Sequence, residues 1–217
     1  MRMLRARRES IVADERGTTL LELIIAMAIM SVVMTVFGTT LASVQEGEVR
    51  QENLTQSLDD AQLALQQLDH EIRSGNVLYD PALEGGSQSS CSGCVPNYTV
   101  RVYTQANADS RSTYYCTLWK IDTNATLWTR QWPPSDPTSA LPWRVVATGI
   151  VSRTLGVAAF ALDTDPLKGS RTLNVTLAVN DNYTRYPTQT VRVQAALTGR
   201  NTSYGYPVSV CAVTPTG

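Results

Sequence analysis

Histidine is nearly absent from this chain of 217 residues, and neither sign of charge is in excess. The one histidine, His70, lies in a polar stretch, and the formal net charge is −1. Without a second candidate base, a Ser–His–Asp site or a histidine-ligated metal site is hard to build. The near-neutral charge gives no strong attraction to nucleic acid or to anionic lipid. Since no phosphate-binding glycine loop is present either, the sequence predicts a protein that is not an enzyme and uses no cofactor or metal.

Charge is also missing from one long stretch, from Thr18 to about Ser43, where Glu22 is the single ionisable residue. A helix of this length exceeds the roughly 20 residues that cross the hydrocarbon core of a bilayer. Residues 1–17 before it carry five arginines and three acids, whereas the rest of the chain carries 13 basic and 16 acidic residues. The positive-inside tendency then predicts a single-pass protein with a cytoplasmic N-terminus and an extracytoplasmic C-terminal part.

An ordinary secretory signal peptide is the competing interpretation of this stretch. Its apolar core spans about 7–15 residues and is followed by a small-x-small cleavage site. The run is longer here, and the segment "TTLAS" (39–43) matches such a site poorly. The front end also mixes acids with its arginines. These differences favour a membrane span.

The position of Glu22 matches a known processing signature. The junction reads Gly17, then "TTLLE", then the apolar helix, so the glutamate is the fifth residue after the glycine. Together with the basic leader, this pattern resembles that of type IV prepilins. The resemblance implies that prepilin peptidase cleaves between Gly17 and Thr18, that Thr18 is then N-methylated, and that Glu22 is an assembly contact. The family most often has phenylalanine where this chain has Thr18.

Physical chemistry gives a reason to keep a carboxylate at this depth. An unpaired charge inside a bilayer costs about 3 kcal/mol or more. Cleavage would create a positive α-amine on Thr18, and the Glu22 carboxylate of a staggered neighbour could pair with it. Such a pair in a low dielectric offsets the cost and fixes the register of the helices. The alternative is a carboxylate that snorkels near the helix start, where the helix dipole favours it.

The helical pattern continues beyond the apolar run. A stripe of apolar residues recurs at spacings of three and four, which is typical of one buried helix face: Leu54, Leu58, Ala61, Leu65, Leu68 and Ile72. The pattern predicts a helix from Thr18 to about Arg73, with Gly75 as a left-handed C-terminal cap. Gly38, in "FGTT", is either a weak point that melts during assembly, as in similar pilins, or a site of close helix packing.

The remainder of the chain has the texture of short strands separated by turns. Strands are predicted over 98–105, 112–121, 125–132, 141–149, 154–163, 171–180 and 189–198. A helix followed by antiparallel strands makes the fold class α+β, with a long transmembrane and amphipathic helix packed on an antiparallel sheet domain. The predicted organisation is a leader (1–17), a transmembrane half-helix (18–43), an amphipathic half-helix (44–74) and an extracytoplasmic β-rich domain (75–217).

The C-terminal third adds a more diffuse resemblance. The segments "VVATGIVSRTLGVAAFALDTD" (145–165), "RTLNVTLAV" (171–179) and "TVRVQAALTGRN" (190–201) resemble the J-type or W-type minor pilins and pseudopilins. This implies a structural subunit that initiates or caps a pilus, with prepilin peptidase, other pilin subunits and the plasma membrane as partners. A pseudopilin of a type II secretion or competence machine and a membrane-anchored adhesin remain open as alternatives.

Four cysteines, Cys91, Cys94, Cys116 and Cys211, lie on the predicted extracytoplasmic side, where thiols oxidise. An even count suggests two disulfides, for which three pairings are possible. A bond within "CSGC" would close a very small loop, so pairing over longer range is expected. A zinc site and redox-active thiols are the alternatives.

Four tryptophans and nearby tyrosines raise the question of nucleic-acid binding. Aromatic side chains stack on single-stranded bases, but usually beside a basic groove. The predicted extracytoplasmic part is acidic, so DNA is an unlikely partner. Core and loop packing is the simpler interpretation of the tryptophans: Trp119, Trp128, Trp132 and Trp143.

Overall fold

The computed structural model describes residues 19–85, 91, 93–105, 114–163, 171–199, 207 and 209–215. The leader, including Gly17, and Thr18 lie outside this range. The chain divides into two compact units, Met1–Val49 and Arg50–Gly217. One helix, α1 (Leu20–Arg73), contributes residues to both units.

The second unit contains two antiparallel sheets in addition to the end of α1. The five-stranded sheet has the order β1-β2-β3-β4-β5 and the three-stranded sheet the order β6-β7-β8. Their strands are β1 (Gly75–Leu78), β2 (Thr99–Thr104), β3 (Tyr115–Ile121), β4 (Leu127–Trp132), β5 (Arg144–Ala147), β6 (Phe160–Leu162), β7 (Thr172–Val179) and β8 (Val191–Thr198). Short 3-10 helices lie at Pro81–Leu83 and Pro137–Ser139. The α+β class predicted from the sequence is confirmed.

The main core lies between α1 and one face of both sheets. Alternating residues of β7 turn Leu173, Val175 and Leu177 inward, as the period of two in a strand requires. The α1 stripe supplies Ala61 and Leu68, which are 0% and 2% exposed. Small residues on the helix let its backbone approach the sheet, while the branched strand residues fill the remaining space.

A second, smaller core lies on the opposite face of the five-stranded sheet and is covered by the C-terminal segment. Arg101 and Glu84 form a fully buried ion pair with Nη2–Oε1 at 3.0 Å. Arg101 also donates to the carbonyl of Cys211, and its guanidinium stacks 4.1 Å from the ring centroid of Tyr79. The Cys211 amide donates to the Tyr79 hydroxyl at 2.9 Å. Burial raises the pKa of that hydroxyl.

The structure corrects two details of the predicted boundaries. Gly75 is not a left-handed cap, because it begins β1 and has no positive φ. A Cβ there would lie 2.8 Å from Val102 Cγ1, so the glycine permits close packing of the strand. Within the predicted strand 154–163, residues 154–156 belong to a turn over 151–156, residues 157–159 form neither helix nor strand, and only Phe160–Leu162 is extended. Here Gly156, at φ +65, continues the turn.

The cysteines pair in two disulfides, and one expectation about them was wrong. Cys116 bonds Cys211 across a sequence separation of 95, but Cys91 bonds Cys94 within "CSGC". The short loop closes because Gly93 adopts φ +76, which turns the chain and brings the two cysteine Cα atoms to 5.5 Å. All four cysteines are in these disulfides, so none is free to ligate the zinc considered from the sequence.

Candidate functional site on the N-terminal helix

The candidate site begins at the first turn of α1, where Thr19 caps the helix. Its hydroxyl accepts from the Glu22 amide at 3.3 Å, and its carbonyl accepts from the Leu23 amide at 3.2 Å. Threonine is a favoured N-cap residue because its side chain satisfies an amide that has no partner in the helix. The sequence Thr19-x-x-Glu22 is the pattern of a capping box. The structure forms the threonine half of it.

Glu22 lies in the first turn of α1, and its side chain is exposed. Its carboxylate forms no hydrogen bond or ion pair with another described residue. The position near the N-terminus of the helix favours a negative charge, because the helix dipole is positive there. The carboxylate is therefore accessible to a partner outside this chain.

The surface around Glu22 is apolar over many turns. The described residues leave this apolar part of the helix unburied. By length and composition, this helix is long and apolar enough to cross a membrane. The exposed large apolar side chains of this part are Leu20, Leu21, Leu23, Ile24, Ile25, Met27, Ile29, Met30, Val32, Val33, Met34, Val36, Phe37, Leu41 and Val44.

The few hydroxyl groups on this surface donate hydrogen bonds to backbone carbonyls of the same helix. Ser31 Oγ donates to the Ala28 carbonyl and Thr35 Oγ1 to the Ser31 carbonyl, both at 2.8 Å. Thr39 and Thr40 both donate to the Val36 carbonyl at 2.9 Å. Such internal bonds lower the cost of placing hydroxyls in a hydrocarbon environment.

Gly38 follows this group without interrupting the helix. Within the described structure no atom lies within 4 Å of the position that a Cβ would occupy. No contact with the described part of the chain therefore requires a glycine here. Its helix propensity is about 1 kcal/mol below that of alanine, so it lowers the local stability of the helix.

The C-terminal part of α1 is fixed to the sheets by a chain of polar contacts. Trp119 Nε1 donates to Glu71 Oε2 at 2.7 Å, and Gln67 Nε2 donates to Glu71 Oε1 at 3.2 Å. Arg144 Nη2 donates to Gln67 Oε1 at 2.7 Å. Thr104 Oγ1 donates to the Glu71 carbonyl at 2.8 Å. This part of the helix is therefore attached to β2, β3 and β5 by hydrogen bonds as well as by apolar packing.

Only some of the residues predicted to have a role lie in the described part of the chain. Glu22 lies on the exposed first turn, whereas Gly17 and Thr18 lie outside the described residues, so their roles stay predictions. His70 is exposed on α1, and Trp119 and Trp132 are both buried in the cores rather than arranged as a stacking surface. In the described part of the chain, no group of three or more histidine, cysteine or acidic side chains is placed to hold a metal ion.

Sequence reasoning missed the helix cap at Thr19 and the buried carboxylate of Glu71. The cap was readable, because Thr-x-x-Glu before an apolar run is a recognised start signal. The burial of Glu71 could not be predicted from the sequence, because this residue lies in a polar stretch beside Asp69 and His70. Only the position of Trp119 in the folded chain gives it a partner.

Comparison with known proteins identifies one segment. Residues 13–38 match the family described as the prokaryotic N-terminal methylation motif. No curated protein and no solved structure matches the chain. The matched segment contains Gly17, Thr18 and Glu22 together with the start of the exposed apolar helix, and the match supports a type IV prepilin-family protein.

Proposed function

We propose that the chain is a minor type IV pilin-like structural subunit that helps to initiate or cap a pilus. The observation that supports this most is the methylation motif at residues 13–38 on a helix whose large apolar side chains from Leu20 to Val44 are exposed. A surface of this kind is covered either by lipid or by other apolar helices. In this proposal α1 anchors the subunit in the plasma membrane and later joins the helix bundle of the filament.

Processing comes first in the proposed sequence of events. Prepilin peptidase cleaves between Gly17 and Thr18, and Thr18 becomes the methylated N-terminus. Thr19 then caps a helix that begins almost at the new chain end. The second unit, Arg50–Gly217, is presented on the extracytoplasmic side.

Assembly depends on Glu22 in this proposal. Its carboxylate pairs with the α-amine of a neighbouring subunit inside the apolar bundle. The exposed position of Glu22 supports the proposal, because its side chain is not committed to another described residue. A charge pair in such surroundings is retained because it fixes the stagger of the helices.

The processing step is tested by the intact mass and N-terminal sequence of the protein purified from a membrane that also contains prepilin peptidase. We expect a chain that begins at monomethylated Thr18. A chain that still carries Met1, or one cleaved after Ser43, would contradict the proposal.

Replacement of Glu22 tests the assembly step separately. The variant Glu22→Ala is expected to be cleaved and methylated normally but to be recovered in sheared filaments at no more than about a tenth of the wild-type level, as loss of a buried charge pair predicts. Glu48→Ala, which removes an exposed acid from the same helix, serves as the matched control and should assemble normally. Equal assembly of both variants would refute the charge-pair role.

A further inference from the structure

A cleft of about 710 Å³ opens in the second unit where α1, β4, β5 and the proline-rich loop 133–143 meet. Guanidinium groups, neutral polar side chains and apolar side chains contribute to its wall, and no carboxylate of a described residue does. The lining residues are Gln67, Thr129, Arg130, Gln131, Leu141, Pro142, Trp143 and Arg144. We call this the Trp143 cleft.

Positive charge is concentrated at the Trp143 cleft. Arg144 is exposed, and its guanidinium donates to the neutral Oε1 of Gln67. Arg130 places its guanidinium 5.6 Å from the Trp143 ring centroid and donates Nε to the Leu141 carbonyl at 2.8 Å. Lys120 Nζ lies 3.9 Å from the same ring centroid. Burial lowers the pKa of this lysine. The negative charge of Asp122 opposes this shift, and the positive charge of Arg130 adds to it.

Apolar side chains line the rim of the cleft beside these cations. Leu141, which lines the cleft, is 56% exposed, and Pro142 follows it in the wall. β5 is an edge strand of the five-stranded sheet, so one side of its backbone has no neighbouring strand in that sheet. At the cleft floor, Thr129 is 4% exposed and its hydroxyl has no hydrogen-bond partner among the described residues.

We propose that the Trp143 cleft binds an extended segment of a partner protein in which acidic residues alternate with apolar ones. The partner carboxylates pair with the Arg144 guanidinium group, and the intervening apolar side chains cover Leu141 and Trp143. Charge-assisted hydrogen bonds supply specificity for the acids, and burial of the rim supplies affinity. Peptides that add to an exposed sheet edge use the same combination of backbone pairing and alternating side-chain pockets.

The observations favour a peptide over a polyanion. DNA or a polyuronate needs cations along a continuous track. Around this cleft the cations Lys120 and Arg130 are grouped at the indole of Trp143. Two acids are close to them in sequence, because Asp122 directly follows β3 and Asp136 lies in the loop 133–143. Apolar contact with the exposed Leu141 would not contribute to binding a uniformly charged polymer. This proposed binding does not depend on the role of the chain as a pilus subunit.

The experiment measures fluorescence anisotropy of a fluorescein-labelled Glu-Leu-Glu-Leu-Glu peptide with the full chain in detergent micelles. The control peptide carries glutamine at every glutamate. Arg144→Gln is compared with Arg192→Gln, which removes a similarly exposed arginine from β8. Leu141→Ser tests the apolar rim. Near-ultraviolet circular dichroism verifies that each variant is folded.

We expect the acidic peptide to bind at least about tenfold more tightly than the glutamine peptide, as one charge-assisted hydrogen bond predicts. Arg144→Gln and Leu141→Ser should each weaken binding severalfold or more, and Arg192→Gln should leave it unchanged. Equal binding of both peptides, or equal effects of Arg144→Gln and Arg192→Gln, would overturn the proposal. Binding of oligo-dT or a polyuronate that depends on Arg144, without binding of the acidic peptide, would overturn it in favour of a polyanion. Normal processing at Thr18 alongside any of these failures would leave the proposed subunit role intact.

Discussion

Glu71 shows how a single polar residue links the helix to the sheet. Its side chain is 0% exposed, and a buried carboxylate is costly unless hydrogen bonds replace those of water. Trp119 and Gln67 supply these bonds from β3 and from the preceding turn of α1. A buried bond of this kind orients the helix in a way that apolar packing alone does not.

Replacing Trp119 by phenylalanine is expected to lower the free energy of unfolding by about 2–4 kcal/mol. The indole N–H is lost, so one oxygen of the buried Glu71 carboxylate loses its donor, and a small cavity is left. Trp128→Phe is the matched control, because that indole donates to the partly exposed Asp122 at 2.9 Å. Urea unfolding of the full chain in mild detergent, followed by circular dichroism, measures both. Similar losses in the two variants would mean that the Glu71 bond adds no special stability.

At the scale of elements, α1 is one helix with two kinds of surface. From Leu20 to Val44 its large apolar side chains are exposed, whereas Ala61, Leu68 and Ile72 are buried against the sheets. The change follows from the sequence, because the first part is apolar all round and the second has a single apolar stripe. Only the second part is therefore stabilised by packing within the described chain.

Substitutions of a buried and an exposed leucine of α1 distinguish the contribution of core packing to stability from that of helix propensity. Leu68 is 2% exposed and Leu63 is 61% exposed. Leu68→Ala is expected to cost about 2–5 kcal/mol of stability, because it opens a cavity in the main core. Leu63→Ala should change stability by no more than about 0.5 kcal/mol. The same urea titration tests this prediction, which fails if the two variants lose stability equally.

For the whole molecule, the Cys116–Cys211 disulfide joins the C-terminal segment to the middle of the five-stranded sheet. The same segment is held by Arg101 and by the Tyr79 hydroxyl. Because the bond spans 95 residues, it removes far more conformational entropy from the unfolded chain than the Cys91–Cys94 bond, which spans three. The second core thus depends on oxidation of one particular pair.

Loss of the long-range disulfide is expected to destabilise the protein by about 5 kcal/mol, as the loop-entropy relation predicts. The Cys116→Ser, Cys211→Ser double variant measures this loss. The Cys91→Ser, Cys94→Ser double variant is the control, with an expected loss of about 2 kcal/mol by the same relation. Thermal unfolding of both variants provides the comparison. A larger loss in the control would show that native-state contacts of the short loop outweigh chain entropy.

Much of the architecture was predictable because it depends on local pattern. The apolar run, the amphipathic stripe and the alternation in β7 and β8 each reflect a fixed repeat of the backbone. β1 was missed because "GNVL" is short and begins with glycine. The predicted strand over 154–163 failed because the chain turns at Gly156, and the bridge between Ile150 and Val179 ties this turn to β7 instead.

The sequence by itself determined the prepilin motif, the candidate span and the α+β class, since these follow from residue order over short distances. The tertiary structure decided which cysteines pair, which acids are buried and where the cations gather. Glu84 and Arg101 are separated by 17 residues, and Glu71 and Trp119 by 48. The register of the sheet and the packing of α1 on it bring such partners together. Neither the register nor the packing can be read from a local repeat in the sequence. The same reason explains why the Trp143 cleft is visible only in the folded chain.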